Sequence, residues 1–169
     1  EEDFLKFAEA CRLDSYSRNL KVTLQADIDL TGTEFQGVPI FSGCFEGNGY
    51  TVSGLTVSSK GAELGLFRYL TETAIVRDLK VTGNVQPQGT RATVGGIAGS
   101  NAGRIENCSF SGIVSGSDRV GGITGSNGVT GVVEGCSTEG SIHGDHFIGG
   151  IAGENLGVIR SCVNTAQIN

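Results

Sequence analysis

The sequence predicts an all-β chain wound as a right-handed parallel β-helix and closed at its N-terminus by a short α-helix. Three observations carry that prediction. First, Val94-Gly95-Gly96-Ile97-Ala98-Gly99-Ser100-Asn101 returns as Val120-Gly121-Gly122-Ile123-Thr124-Gly125-Ser126-Asn127 and again as Ile148-Gly149-Gly150-Ile151-Ala152-Gly153-Glu154-Asn155. A segment repeated at this spacing marks a stack of coils, each burying its apolar face on the next. Second, apolar positions follow each block at constant offsets, and the two-residue steps among them are strand alternation. Third, neither a leucine ladder nor a 3.6-residue period is present, which argues against leucine-rich and helical repeats. Right-handedness is the default that strand chirality favours.

Residues 1–19 form the cap. Phe4, Leu5, Ala8 and Cys11 make one stripe of a short helix, and Glu1, Glu2 and Asp3 crowd its positive end. A lid is needed there because the first coil of a stack exposes an apolar cross-section and unpaired strand edges. Residues 20–63 are the first coils. They open on Val22, Leu24, Ala26, Ile28 and Leu30, which alternate with polar residues as one half-buried strand. Residues 64–93 are a degenerate coil, which Leu66-Phe67-Arg68-Tyr69 makes bulkier and less regular. Residues 94–169 are three full coils.

The inward positions of the full coils are Ile105, Cys108, Phe110 and Val114, then Val133, Cys136, Thr138 and Ile142, then Ile159, Cys162, Asn164 and Ile168. Val76, Leu79, Val81 and Val85 precede them, with Val52, Leu55 and Val57 before those. The markers Leu55, Leu79, Cys108, Cys136 and Cys162 give steps of 24, 29, 28 and 26 residues. The longer segment between Asn127 and Val133 is assigned two inserted residues, Thr130 and Gly131, on a surface turn. Five to six coils rising about 4.8 Å each make a rod of roughly 25–30 Å.

The chain is treated as one domain, residues 1–169. It carries a formal net charge of −6, no Met and no Trp. That balance argues against nucleic acid and anionic membrane as partners, both of which call for clustered Lys and Arg. No apolar run approaches the ~20 residues of a membrane span, so membrane insertion is not expected. No second lid is evident before Asn169, so the expectation is a piece of a longer chain whose other domains are its neighbours.

Three columns invite a functional reading. Cys108, Cys136 and Cys162 stack on adjacent coils. Their Cα atoms, about 4.8 Å apart, could be bridged, since disulfides span ~4.4–6.8 Å. With five cysteines one must stay free within the chain, so the expectation is a reduced ladder of small buried thiols, with a Cys11–Cys44 bridge the weaker alternative. Asn101, Asn127 and Asn155 form a second column, which could meet a sugar but suits the satisfaction of turn backbone better. The outward charges Arg77, Glu106, Glu134 and Arg160 form a third, read as a solvated face with a like pair at its centre.

His143, Asp145 and His146 form the one cluster with metal-ligand character. It is read as a polar loop, because a mobile turn supplies no rigid support for a metal. No catalytic residue and no cofactor are assigned. Asp27, Asp29, Glu46 and Asp78 are the acids a carbohydrate-active β-helix would use, and in the sequence they look scattered and unpaired with Arg or Lys.

The glycine blocks Gly96-Ile97-Ala98-Gly99, Gly122-Ile123-Thr124-Gly125 and Gly150-Ile151-Ala152-Gly153, each followed two residues on by Asn, resemble GLUG-motif repeats. Leu24–Leu30 and Phe41–Val52 resemble the first coils of the same surface proteins, so the resemblance spans nearly the whole chain. It implies a pectin-lyase-like right-handed β-helix from a secreted or cell-surface bacterial protein, such as an IgA-cleaving metallopeptidase or an adhesin. It also implies that any HExxH peptidase domain lies outside these residues, since that motif is missing here. The preferred expectation is a monomeric, non-catalytic structural or presentation module, meeting a host glycoprotein or glycan along a flat side. The alternative is a carbohydrate-active β-helix of polysaccharide lyase or hydrolase type.

Overall fold

The computed structural model describes residues 1–89 and 91–169. The chain is a β-solenoid with one short helix. Each regular coil passes through four parallel sheets in turn. The first contains Lys21–Thr23, Cys44–Glu46, Ile75–Arg77, Arg104–Glu106, Val132–Glu134 and Val158–Arg160. The second is the longest and contains Ile28–Asp29, Thr51–Val57, Lys80–Val85, Ser109–Ser115, Ser137–His143 and Val163–Asn164, with Gln167–Ile168 also on Ser137–His143. The third contains Glu63–Leu64, Thr93–Gly95, Arg119–Gly121 and Ile148–Gly149. The fourth contains Val38–Phe41, Phe67–Leu70, Ala98–Asn101, Thr124–Asn127 and Ala152–Asn155.

Parallel registry makes each inward position a column. Phe45, Val76, Ile105, Val133 and Ile159 form one, and Val57, Val85, Val114, Ile142 and Ile168 another. These side chains are buried up to the last coil, where Ile159 is half-buried and Ile168 is 46% exposed.

The core changes character along the axis. At the N-terminal end it is aromatic. Phe4 and Phe7 of the helix Glu2–Ala10 reach into the first coil, with ring centroids 6.4 Å (Phe4–Phe45), 5.8 Å (Phe7–Phe41) and 6.0 Å (Phe7–Phe45) apart. Phe67 then meets Phe41 and Phe45 at 5.5 and 5.4 Å. Toward the C-terminus inward polar residues enter: one column reads Val52, Val81, Phe110, Thr138, Asn164.

Several expectations are corrected by the registry. Residues 21–29 are not one strand. Leu24–Asp27 turn the corner between Lys21–Thr23 in the first sheet and Ile28–Asp29 in the second, which leaves Ala26 exposed. The first marker is Tyr50, not Leu55. Tyr50 O accepts the Lys80 N–H just as Leu79 O accepts that of Ser109, whereas Leu55 lies opposite Gly83. The step from Tyr50 to Leu79 is therefore 29 residues, so the coil length is nearly constant. The inserted residues are Val129 and Thr130, because Gly131 O accepts the N–H of the strand above just as Gly103 O does, and the Gly128 N–H bonds to Asn101 O just as the Leu156 N–H bonds to Asn127 O. The coil through Phe67–Leu70 is bulky but regular, paired without slip to Val38–Phe41 and Ala98–Asn101.

A glycine column sets how closely the long sheet can stack. Gly83, Gly112 and Gly140 face one another with φ of 151°, 149° and 111°. A Cβ built on Gly112 would stand 1.9 Å from the Gly83 carbonyl oxygen. Gly112→Ala is therefore expected to cost more than ~3 kcal/mol, through overpacking against backbone at a φ that L-residues avoid. Thermal or urea unfolding checks this, and Ile113→Ala one residue on should cost far less.

Candidate functional site

The expected columns occupy two neighbouring corners of the coil. At the end of the fourth sheet Asn101, Asn127 and Asn155 face inward, with Asn101 and Asn127 buried. Asn101 Nδ2 donates to Asn127 Oδ1 at 2.9 Å, and Asn127 Nδ2 donates to Asn155 Oδ1 at 2.8 Å. Each amide also serves its own turn. Asn101 Oδ1 accepts the Gly103 N–H at 3.0 Å and Asn155 Oδ1 that of Gly157 at 3.2 Å. Asn127 Nδ2 reaches Gly131 O at 3.1 Å across the longer turn. In the two preceding coils the same position is Leu70 and Phe41, so the amide file begins where the aromatic core ends.

The next corner leads from the first sheet into the second and contains the cysteines. Asp78, Asn107, Gly135 and Ser161 take positive φ of 53°, 50°, 64° and 54°, and each is followed by an inward residue: Leu79, Cys108, Cys136 and Cys162. All five cysteines are free thiols. The three stacked ones donate from Sγ to a carbonyl two residues back, at 3.3–3.4 Å, and to the coil below at 3.6 Å. Burial pushes the thiol of Cys11, at the C-terminal end of the helix, up to about 11.

The outer side of this corner contains a shallow groove of about 480 Å³, lined by Asn48, Asp78, Lys80, Asn107, Ser109 and Ser137 among others. Here the structure overturns the reading of Glu46 and Asp78 as scattered acids. Glu46 lies opposite Arg77 in the sheet and accepts from its Nε at 2.5 Å, while Asp78, next along the chain, brings a second carboxyl into the neighbourhood of Glu46. Arg77 and Lys80 are the adjacent bases. Desolvation, then the neighbouring Glu46 and its charge, hold the Asp78 carboxyl above the usual range. Desolvation also acts to raise Glu46, but Arg77, the Asn48 N–H and Asp78 together outweigh it and leave Glu46 lowered. Asp27 and Asp29 stay apart from this pair, capping backbone N–H groups of Thr51 and Thr31 at 2.9 Å.

The like-charged centre of the outward row is resolved by Arg104. It contacts Glu106 at 2.6 Å and Glu134 at 3.6 Å, and Arg160 meets Glu134 at 3.2 Å. His143, Asp145 and His146 are exposed on their loop. Among the described residues no three His, Cys, Asp or Glu side chains converge as a metal-binding group. None of the helices among the described residues is long and apolar enough to cross a membrane.

Comparison with known proteins agrees with this geometry. Residues 90–115 match the GLUG motif, so the chain is a β-solenoid that carries this motif. Halomucin of Haloquadratum walsbyi is 30% identical over 153 residues, 78% of this chain and 2% of that protein. A protein of Evansella cellulosilytica, assigned by name as a Gly-rich membrane protein, is 36% identical over 98 residues, 51% of this chain and 11% of that protein. A crystal structure from Bacteroides ovatus, assigned by name as an immunoglobulin A1 protease, superposes with a TM-score of 0.52 at 22% identity, over 92% of this chain and 61% of that one. At that identity the likeness shows the fold alone. The chain thus spans a small part of the curated relatives it matches.

Two outcomes are expected from this site. Asn127→Leu leaves one N–H of the buried Asn101 amide unpaired and removes one of the two bonds at the Gly131 carbonyl, and should cost about 1–3 kcal/mol. Replacing Asn101, Asn127 and Asn155 together by Leu should recover part of that loss, since no amide is then stranded among apolar neighbours. Chemical denaturation of the single and triple variants measures both.

For the carboxylates, a raised Asp78 pKa favours folding at acid pH and that contribution is lost as pH rises through the folded value. Asp78→Asn, which keeps a residue suited to the positive φ, should raise Tm by ~1–2 °C at pH 7. The gain should vanish below about pH 3.5, where the native carboxyl is itself neutral. A Tm-against-pH series of both proteins decides it.

Proposed function

We propose that this β-solenoid is a non-catalytic presentation module of a secreted or cell-surface protein, with a right-handed, pectin-lyase-like winding, and that its flat sheets meet a host glycoprotein or glycan. One observation carries the reading. The residues that repeat from coil to coil, including the asparagines, cysteines and glycines, are spent on contacts within the stack. The names of the relatives, a halomucin and a Gly-rich membrane protein, favour a surface setting, and their far greater length favours a spacer within a large chain. A stack whose coils repeat one scheme resists bending because each strand is bonded to strands on both sides.

The neighbouring carboxyls of Glu46 and Asp78, the first paired with Arg77 and the second lining the groove with Lys80, favour a second reading as a carbohydrate-active groove. That reading ranks second because the groove is shallow and Asp78 is the one carboxylate among the residues that line it. A one-coil deletion of residues 108–135, which joins Asn107 to Cys136, separates the two. A scaffold is expected to remain folded and cooperative when shortened by a whole coil, and to show no turnover of acidic polysaccharide before or after. Turnover by the intact chain that is abolished by Glu46→Gln would overturn the module reading. A glycan array read with the intact chain tests the adhesive part on its own.

A further inference from the structure

One corner of the solenoid is raised in a way that stacking does not require. Between the fourth sheet and the first, Ser42-Gly43 and Ala102-Gly103 cross in two residues, whereas Thr71-Glu72-Thr73-Ala74 and Gly128-Val129-Thr130-Gly131 take four. Each longer corner closes on itself, the Ala74 N–H donating to Thr71 O at 3.0 Å and the Gly131 N–H to Gly128 O at 2.9 Å. A threonine latches each to the preceding coil: Thr73 Oγ1 donates to Ser42 O at 2.8 Å and Thr130 Oγ1 to Ala102 O at 2.7 Å. The first raised turn borders a groove of about 410 Å³, within the ~300–1,000 Å³ of small-molecule clefts. Ser42 lies at its base, with Arg18 and Asn19 before the strand Lys21–Thr23 on one side, and Glu72 and Thr73 of the next coil on the other. Both sides are tied to that base. The Ser42 N–H donates to the buried Ser17 Oγ at 2.9 Å, and the Ser42 hydroxyl accepts from Thr71 Oγ1 at 2.9 Å. A groove held this way keeps its shape before a ligand arrives, which lowers the cost of binding.

Elsewhere on the surface Arg12, Arg77, Arg104, Arg119 and Arg160 each reach a carboxylate. Arg18, Asn19, Tyr69 and Glu72 line the groove with no side-chain hydrogen bond or ion pair among the described residues. Arg18 and Asn19 are exposed donors, exposed Glu72 is an acceptor, and half-buried Tyr69 offers a ring face and a hydroxyl. Arg18 and Glu72 balance in charge, so the lining favours neither an anion nor a cation. Donors, acceptors and an aromatic face without net charge match an uncharged sugar, whose hydroxyls both give and take hydrogen bonds. We propose, resting on the adhesive part of the function above, that this groove is a saccharide subsite taking an uncharged sugar unit of a glycan. Arg18 and Asn19 donate to sugar oxygens, Glu72 accepts from hydroxyls on the opposite side, and the C–H face of the sugar lies on Tyr69. The raised turn gives the glycan a fixed edge that the flat sheets lack.

An array of neutral, sialylated and uronic-acid glycans is read with the intact chain, and the neutral glycan giving the strongest signal is then titrated against variants. Arg18→Ala, Glu72→Ala and Tyr69→Ala are each expected to weaken that binding about tenfold or more. Val129→Ala, at the exposed tip of the other raised turn, should leave it unchanged. Arg18 and Glu72 are exposed, so their variants are expected to keep the fold, which circular dichroism checks. A neutral glycan whose affinity survives both Arg18→Ala and Glu72→Ala would overturn the subsite and leave the adhesive reading standing. Binding confined to sialylated or uronic-acid glycans would overturn the uncharged ligand. A chain that binds no glycan would overturn the subsite together with the adhesive reading.

Discussion

The constraint on which the molecule rests is that every coil must place its backbone N–H groups on the carbonyls of its neighbour without sliding. Parallel strands of two to seven residues contribute little alone, so stability has to be gathered over four sheets at once. That requirement turns each position into a column, and each column into a choice of side chain. Inside, the choice is a size that fills the space between neighbouring coils. At Gly83, Gly112 and Gly140 it is the lack of any side chain, since the backbone of the next coil takes that volume. Outside, it is a charge order that Arg77 and Arg104 complete.

Periodicity made most of this legible from the sequence. The glycine blocks, the inward positions of the full coils, the stacked cysteines and the stacked asparagines all follow from counting, because a column is by definition a repeated offset. Counting failed where a corner changes length. Val52, Leu55 and Val57 copy the three-and-two spacing of Val76, Leu79 and Val81. The first corner, however, holds Gly47-Asn48-Gly49-Tyr50, where later coils hold two residues, and this moves the true match to Val81 and Val85. The same error hid the carboxylate pair. Once Cys44-Phe45-Glu46 is aligned with Ile75-Val76-Arg77, Glu46 falls opposite Arg77 and within reach of Asp78. The alternation of Val22 to Leu30 misled for another reason: alternation reports which side chains point inward, and a chain turning a corner can keep pointing inward.

The gradient along the axis links folding to the site. Phe4 and Phe7 seal one end with aromatic surface, and the Phe41, Phe45 and Phe67 rings pass that packing into the stack. Beyond Phe110 the interior becomes progressively polar. Thr138 Oγ1 is buried with no hydrogen-bond partner among the described residues, and Asn164 turns its amide to its own turn at Ala166. A polar interior is tolerable where amides satisfy one another in a file, and this is what Asn101, Asn127 and Asn155 achieve.

The change of that position from Phe41 and Leu70 to asparagine has one more consequence. Near-identical tandem segments face an ambiguity during folding, since any coil could dock on any other with the same backbone bonds. Here an out-of-order docking would set an amide against a phenyl ring, or a leucine against a stranded carboxamide. The two chemistries within one file thus set the first two windings apart from the three that carry asparagine, and a docking that mixes the two groups is penalised.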